Sequence, residues 1–271
     1  MDFTKTIGHE KQKEYFRQAI KHNRLAHAYA FVGPEHVGKT LFATELAGML
    51  GGDAVLDFYA CDDTEGLTIE KARELQSRLN LSSASGGKKV AVISDAEKMT
   101  TEAANSLLKF LEEPPANSMI ILVTSNFYGL MPTIASRVQK INFPLNTDGE
   151  VQKSIAPLAL PEQNAREIIL LAMGRVGLAL RLGAGAEELE FYKRSAQIYV
   201  LAQSGSNVER LKAAQEVAEW EPPRQNDFLK FCMRLWSKNP ESAGLGKKLL
   251  QSYHDLEYNL NHKLVIDNLF I

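Results

Sequence analysis

The sequence predicts an α/β phosphate-binding domain in its first half and an all-helical second half. Before Pro144, short and wholly apolar segments alternate with segments of helical periodicity. This alternation is typical of a parallel sheet that is covered by helices on both faces. A glycine-rich loop follows the first apolar segment, and after Asn146 the strand signals fade. We therefore expect a phosphate-binding α/β domain followed by a helical part.

The composition is that of an ordinary globular protein. Of 271 residues 45% are hydrophobic and 24% are charged, and the net charge of −2 gives no global reason to expect nucleic-acid binding. No apolar run approaches the roughly 18 residues of a membrane span, and the start lacks the apolar core of a secretory signal. We expect a cytoplasmic protein without a membrane partner. The two cysteines, Cys61 and Cys232, match no disulfide framework or zinc spacing.

The first half contains four predicted helices and three predicted strands. The helices cover residues 10–22, 39–50, 69–79 and 101–113. The strands cover residues 28–32, 90–93 and 119–123, and residues 82–89 read as a polar connector. Pro114 and Pro115 end the fourth helix, because proline lacks the N–H that a helix needs and restrains the residue before it.

In the second half every predicted element is a helix. These helices cover residues 162–182, 187–204, 208–220, 226–237 and 245–264. Apolar side chains recur along the last one at three- to four-residue spacing, namely Leu249, Tyr253, Leu256, Leu260 and Leu264. Such a stripe must pack on something, either the core of a helical bundle or the surface of another subunit.

The glycine-rich loop satisfies the P-loop pattern G-x-x-x-x-G-K-[ST] in full. Its residues are Gly33, Pro34, Glu35, His36, Val37, Gly38, Lys39 and Thr40. Backbone N–H groups and a helix N-terminus bind phosphate in such a loop, the lysine neutralises its charge and the threonine can ligate Mg²⁺. The alternative is a glycine turn without a ligand. The strand before the loop and the helix after it favour a site for ATP or ADP.

The acidic pair that a P-loop ATPase needs at the end of a neighbouring strand is weak here. One carboxylate should hold Mg²⁺ through water and another should polarise the attacking water. The strand at 90–93 is followed by Ser94 and Asp95, with Glu97 two residues further on. The pattern slightly favours ordinary strand-end and helix-capping roles for Asp95 and Glu97 over catalysis.

Three segments, residues 94–100 (SDAEKMT), 104–115 (ANSLLKFLEEPP) and 136–137 (SR), closely resemble the AAA+ subunits of sliding-clamp loaders. Residues 7–10 with 25–29 and residues 259–264 are similar to the delta-prime type of the bacterial DNA polymerase III clamp loader. The resemblance implies an AAA+ core at 1–145, a small helical lid at 146–185 and a helical collar at 186–271 that joins subunits into a ring.

The resemblance also implies which site residues have changed. Ser94 occupies the position of the metal-side aspartate in active relatives and Asp95 that of the catalytic glutamate, so this chain has a degenerate Walker B motif. Ser125 occupies the sensor position, and Gly177 replaces an arginine that contacts the γ-phosphate. Nearby Arg175 could substitute for that arginine from a different angle, but a surface position is the favoured expectation. Many relatives have a four-cysteine zinc module where this chain has only Cys61, so no zinc is expected.

Arg137 is the remaining candidate catalytic residue. In the family this arginine projects into a neighbouring subunit's nucleotide site and stabilises charge on the transferred phosphoryl group. The resemblance thus implies a subunit that works with the loader's ATPase subunits, its delta subunit, the sliding clamp and primed DNA. Its own ATPase activity is expected to be absent or weak. The alternative is an active ATPase, either in the same loader or in another AAA+ assembly.

Overall fold

In the computed structural model of the protein, residues 2–51, 57–59, 67–80, 88–238, 240, 243–257 and 261–270 are described. They divide into two compact units, Met1–Ala184 and Gly185–Ile271. Cys61, Leu260 and most of the connector predicted at 82–89 lie outside the described residues.

The first unit is built on a parallel sheet. In the described part of the chain its five strands are β1 (Ala28–Val32), β2 (Asp57–Tyr59), β3 (Lys89–Ile93), β4 (Ser118–Thr124) and β5 (Gln139–Asn142). Their order is β2-β3-β4-β1-β5, and every pairing is parallel. The three predicted strands are confirmed, whereas β2 and β5 were not predicted. Because all strands are parallel, their carboxyl ends meet at one edge of the sheet, where ligands of α/β proteins bind.

Five helices accompany this sheet: α1 (Glu10–Lys21), α2 (Lys39–Gly51), α3 (Ile69–Asn80), α4 (Thr101–Glu112) and α5 (Pro132–Ala135). Alternate residues of β4 face opposite sides, since side chains alternate along a strand. Ile120 and Leu122 pack in the cluster that contains α3 and α4, and Met119 and Ile121 pack in the cluster that contains α1 and α2. The predicted sheet with both faces covered is confirmed.

Three further helices complete the first unit: α6 (Asp148–Ile155), α7 (Glu162–Ala172) and α8 (Val176–Ala184). The single helix predicted over 162–182 is wrong, because Met173 and Gly174 adopt left-handed φ angles of 48° and 77° between α7 and α8. Helix α6 was not predicted. It begins with a capping box in which the side chains of Thr147 and Glu150 each bind the other's backbone N–H, an arrangement that stabilises a helix start.

The second unit consists of helices α9 (Ala186–Ser204), α10 (Asn207–Ala218), α11 (Pro222–Lys238), α12 (Ala243–Glu257) and α13 (His262–Phe270). The single last helix predicted over 245–264 is wrong. Asn261 begins a new helix, because its side-chain oxygen accepts hydrogen bonds from the backbone N–H groups of Lys263 and Leu264. Among the described helices none is long and apolar enough to cross a membrane.

The predicted apolar stripe is divided by that break. Leu249 and Leu256 are buried in the core of the second unit, as the bundle interpretation requires. Leu264 lies on α13 and is 62% exposed. The stripe is therefore not one continuous surface.

A buried amide ties α13 to α10 and α11 within the second unit. The Gln225 side chain is 2% exposed and donates to the carbonyl oxygens of Val217, Ala218 and Trp220. Its oxygen lies 2.8 Å from Nδ1 of His262. These contacts bind carbonyl groups at and just after the C-terminus of α10, where a helix leaves carbonyl groups without their usual partners four residues on.

Gly33 allows the ends of β1 and β5 to approach closely, and this predicts a large effect of one methyl group. A Cβ at Gly33 would lie 2.1 Å from the carbonyl oxygen of Phe143. We expect Gly33→Ala to lower the free energy of unfolding by about 1–3 kcal/mol or more, measured by denaturant titration. Gly48→Ala is the control, because Gly48 lies on α2 with no atom within 4 Å of an added Cβ. That control should gain about 1 kcal/mol. An unchanged stability of Gly33→Ala would contradict the packing described.

Candidate functional site

The predicted phosphate loop lies between β1 and α2, at the carboxyl edge of the sheet. The loop follows the last residue of β1, and α2 begins at Lys39. Two of its residues, His36 and Gly38, have positive φ angles of 63° and 103°. Left-handed backbone at these positions turns the chain tightly enough for successive N–H groups to face a common point. The strand, loop and helix order expected of a P-loop is confirmed.

Lys39 is buried within this loop. It is 7% exposed, and its Nζ donates to the carbonyl oxygens of Gly33 at 2.7 Å and Pro34 at 2.6 Å. Burial lowers the pKa of Lys39 to about 8, and nearby carboxylates, first of all Glu97, oppose that shift. The ammonium group is thus desolvated and held by neutral acceptors. A phosphate group would give it a charged partner instead.

The two residues predicted as a degenerate Walker B motif lie just past β3, but only Asp95 bears a carboxylate. Ser94 is partly buried at the end of the strand. Asp95 has a left-handed φ of 47°, is 48% exposed and forms an ion pair of 3.1 Å with Lys98. Such an exposed pair stabilises the fold by at most about 1 kcal/mol. Asp95 is therefore held by a surface contact with its own turn.

Glu97 is a site residue that the sequence reasoning did not select. Its Oε1 accepts hydrogen bonds from the backbone N–H of Ser125 at 3.0 Å and from the Ser125 hydroxyl at 2.6 Å. Burial acts to raise its pKa, but the hydrogen bonds from Ser125, together with its own backbone N–H and the Thr124 side chain, outweigh burial and hold the pKa below its usual value. Glu97 is therefore an ionised carboxylate at the carboxyl edge of the sheet.

Ser125, the predicted sensor residue, is joined to the P-loop through its neighbour. The backbone carbonyl of Thr124 accepts a hydrogen bond of 3.2 Å from the N–H of Gly33. The ends of β1 and β4 are thus bonded to each other, and Ser125 is bonded to Glu97 beyond β3. The spacing of Glu97 behind a buried strand was the available signal, since residues just past parallel strands converge at one edge.

Gly177 lies directly against the P-loop. Its N–H donates to the carbonyl oxygen of His36 at 2.7 Å, and an added Cβ would lie 3.0 Å from the same oxygen. The start of α8 therefore contacts the loop without bringing a charge to it. The expected surface position of Arg175 is wrong, because this residue is 9% exposed and donates to the carbonyl oxygen of Met173.

His9 supports the P-loop from the other side. It is 7% exposed, and its Nε2 lies 2.8 Å from the carbonyl oxygen of Val37. Its ring also meets Phe143 edge to face, with centroids 5.0 Å apart. Burial lowers the pKa of His9. The ring is therefore neutral with its proton on Nε2, and it donates a hydrogen bond to the Val37 carbonyl oxygen without burying a charge.

Arg137 follows α5 and forms its hydrogen bonds away from the P-loop. Its Nη2 is 2.9 Å from Oε1 of Glu112, and its Nη1 donates to the carbonyl oxygen of Thr133 at 2.9 Å. Its side chain is 37% exposed. Nη1 also donates to the Ser136 hydroxyl at 3.3 Å. All three partners belong to α4, α5 or the residue after α5, so the structure does not bring Arg137 together with the other predicted site residues of this chain.

The oxygen donors at this edge fit Mg²⁺ held together with phosphate. Thr40 is exposed at the first turn of α2, and Oε2 of Glu97 is buried without a hydrogen-bond partner within the described part of the chain. Mg²⁺ prefers such hard oxygen ligands and is usually bound by one or two carboxylates, waters and substrate phosphates. No group of three or more metal-binding side chains occurs among the described residues. Cys232 is buried in the second unit.

Comparisons with known proteins show what the chain is similar to. The family model described as "DNA polymerase III, delta subunit" matches residues 54–147. DNA polymerase III subunit delta' of Bacillus subtilis is 34% identical over 164 residues, which is 51% of this chain and 50% of that relative. The delta' subunit of Pseudomonas aeruginosa is 29% identical over 190 residues, covering 60% of this chain and 58% of that relative.

A solved structure supports the fold over a longer span. A DNA polymerase III gamma subunit-related protein from Thermotoga maritima matches 94% of this chain and 97% of its own, with a TM-score of 0.54 and 17% identity. At that identity the match supports the fold alone. The chain spans about half the length of the curated relatives that it matches. Together these matches confirm the α/β fold followed by helices and the resemblance to delta-prime subunits of DNA polymerase III.

The buried His9 predicts a dependence of stability on pH. Its pKa is lower in the folded protein than in the unfolded chain, so below the unfolded value, about 6.5, the unfolded chain binds the proton more readily. We expect the free energy of unfolding to fall as the pH is lowered from 7 towards 5, and His9→Gln to reduce that slope. Denaturant titrations at several pH values measure it, with His22→Gln as a control for losing an exposed histidine. An identical slope in His9→Gln would exclude His9 as the cause.

Proposed function

We propose that this chain, which is related to the delta-prime subunits of bacterial DNA polymerase III, is a clamp-loader subunit of that type. It binds ATP or ADP in the loop from Gly33 to Thr40, and its own hydrolysis of ATP is slow or absent. It acts in the cytoplasm with ATPase subunits and a delta subunit to load a sliding clamp onto primed DNA. In this layout residues 1–145 form the nucleotide-binding core, 146–185 the lid and 186–271 the collar.

One observation carries the proposal: an intact phosphate loop lies beside positions that lack charge. Lys39 is desolvated among loop carbonyls, which prepares it to bind phosphate. Ser94 brings no carboxylate to the end of β3, and Gly177 brings only its backbone to the loop. Removing groups that stabilise transition-state charge typically costs several kcal/mol of barrier. Phosphate affinity rests on Lys39 and the loop amides, so binding and hydrolysis are separable here.

The exposed guanidinium of Arg137 supports a role in a neighbouring subunit. Its hydrogen bonds run to α4 and α5, and its side chain remains more than one-third exposed. An arginine that reaches a nucleotide site from outside is worth about 10³–10⁵ in rate. The proposal is therefore that Arg137 stabilises the transition state of ATP hydrolysis in a neighbouring subunit. The second candidate function, an active ATPase, rests on the same intact P-loop and predicts turnover by the isolated chain.

Nucleotide binding is tested with the isolated chain and a fluorescent ATP analogue. We expect binding by the wild type and a loss of about ten-fold or more in Lys39→Met, because a charge-assisted contact with phosphate is removed. The turnover of ATP should remain far below the usual range of kcat, about 1–10³ s⁻¹. Absence of binding at millimolar nucleotide would refute the proposed binding. Turnover at ordinary rates would favour the active ATPase.

The role of Arg137 is tested in a complex reconstituted with the ATPase subunits and delta. Arg137→Ala should leave the chain folded and lower the DNA-stimulated ATPase rate of the complex by about 10-fold or more. Arg78→Ala is a matched control, because Arg78 is also an exposed arginine, 45% accessible and in an ion pair with Glu74. If the Arg137→Ala complex hydrolyses ATP as the control does, the action on a neighbour is wrong.

A further inference from the structure

One oxygen atom at the nucleotide site has no assigned partner. Of the two carboxylate oxygens of Glu97, Oε1 accepts both hydrogen bonds from Ser125. Oε2 is buried and has no hydrogen-bond partner within the described residues, although the Thr124 side chain lies close enough to the carboxylate to help lower the pKa of Glu97. A buried carboxylate oxygen without a partner costs free energy, because burial removes the water that would otherwise solvate its charge. Such an atom calls for a cation or an ordered water.

The fold places that oxygen on the phosphate side of the sheet. Glu97 lies beyond the carboxyl end of β3, Ser125 follows β4, and Gly33 follows β1. These three strands are adjacent and parallel in the order β3-β4-β1. The hydrogen bonds from Ser125 to Glu97 and from Gly33 to Thr124 connect the three strand ends. Glu97 therefore belongs to the same edge as the P-loop.

Charge at Lys39 supports the same placement. Of the carboxylates that act on this ammonium group, Glu97 has the largest effect on its pKa, ahead of Glu35 and Asp95. No direct ion pair between Lys39 and Glu97 is recorded within the described residues, and Lys39 donates to Gly33 and Pro34 instead. The two charges thus act on each other without direct contact, and a phosphate with its cation would bind both.

We propose that Glu97 supplies the carboxylate that holds, through water, the Mg²⁺ of a bound nucleotide, in the place of the carboxylate that Ser94 lacks. The inference rests on the proposed nucleotide binding and changes one part of the proposed function, namely the absence of a carboxylate on the metal side. The site retains a metal-side carboxylate, supplied from the turn after β3 and fixed in direction by Ser125. Thr40 provides the second oxygen from the P-loop side.

A purely structural role of Glu97 makes a different prediction. In that case the carboxylate only fastens the end of β4, and its replacement weakens the binding of nucleotide equally with and without metal. A carboxylate that faces Mg²⁺ acts on the metal-bound form alone. Without metal, its negative charge repels the phosphates, so its removal leaves metal-free binding unchanged or tighter. The ratio of the two affinities therefore separates the two roles.

The experiment measures the dissociation constant of a fluorescent ATP analogue for the full chain, in excess Mg²⁺ and in EDTA. Glu97→Gln retains the shape and the acceptor for Ser125 but removes the charge. We expect it to reduce the gain in affinity from Mg²⁺ by about 10- to 100-fold, the range found for groups that hold a metal's ligands. Asp95→Asn tests the competing acid two residues away, whose surface ion pair with Lys98 predicts that the gain is retained.

Each outcome is decisive. Equal weakening of Glu97→Gln in Mg²⁺ and EDTA, or a loss of the Mg²⁺ effect in Asp95→Asn instead, overturns the inference. So does a wild type that binds equally tightly in Mg²⁺ and EDTA, although the proposed binding then stands. A wild type that binds under neither condition refutes the proposed function itself. If Glu97→Gln fails to fold, Glu97→Asp tests the same point, because its shorter carboxylate should lose part of the Mg²⁺ effect.

Discussion

The site depends on the close approach of the chain at Gly33. There the N–H bonds to the end of β4, and the Cα lies against the carbonyl oxygen of Phe143 beyond β5. Only a residue without a side chain fits, because any Cβ would overlap that oxygen. This contact fixes the start of the loop relative to both neighbouring strands. Lys39 and Ser125 consequently lie at the same edge of the sheet, although they are far apart in sequence.

Around that contact, the parts that bind phosphate are complete and the parts that stabilise transferred charge are reduced. Lys39 is buried among carbonyl oxygens, and a bound phosphate would compensate for the solvation that its charge loses there. His9 and Gly177 bond the loop backbone from two sides, so its conformation is maintained by neutral contacts. Ser94 and Gly177 bring no charge. In the function proposed above, such a pocket retains nucleotide while a neighbouring subunit performs hydrolysis.

Local patterns predicted the local features of this fold. The P-loop and its flanking strand and helix were predicted from contiguous residues, and the structure contains all three. Strand β5 was missed because its edge position leaves it polar, and the last helix was overextended because the capping side chain of Asn261 interrupts an otherwise helical pattern. Glu97 was considered as an acid behind β3 but was not selected as a site residue, because its contact with Ser125, which is distant in sequence, appears only in the fold. The roles of Ser94, Ser125, Gly177 and Arg137 remain predictions.

The central claim is that this chain holds nucleotide without consuming it. The most direct measurement incubates the purified chain with ATP and Mg²⁺, removes free nucleotide, denatures the protein and quantifies the released ATP and ADP over time. The account predicts that bound nucleotide is recovered mainly as unchanged ATP for many minutes. Rapid recovery as ADP, with continued turnover when ATP is in excess, would contradict it.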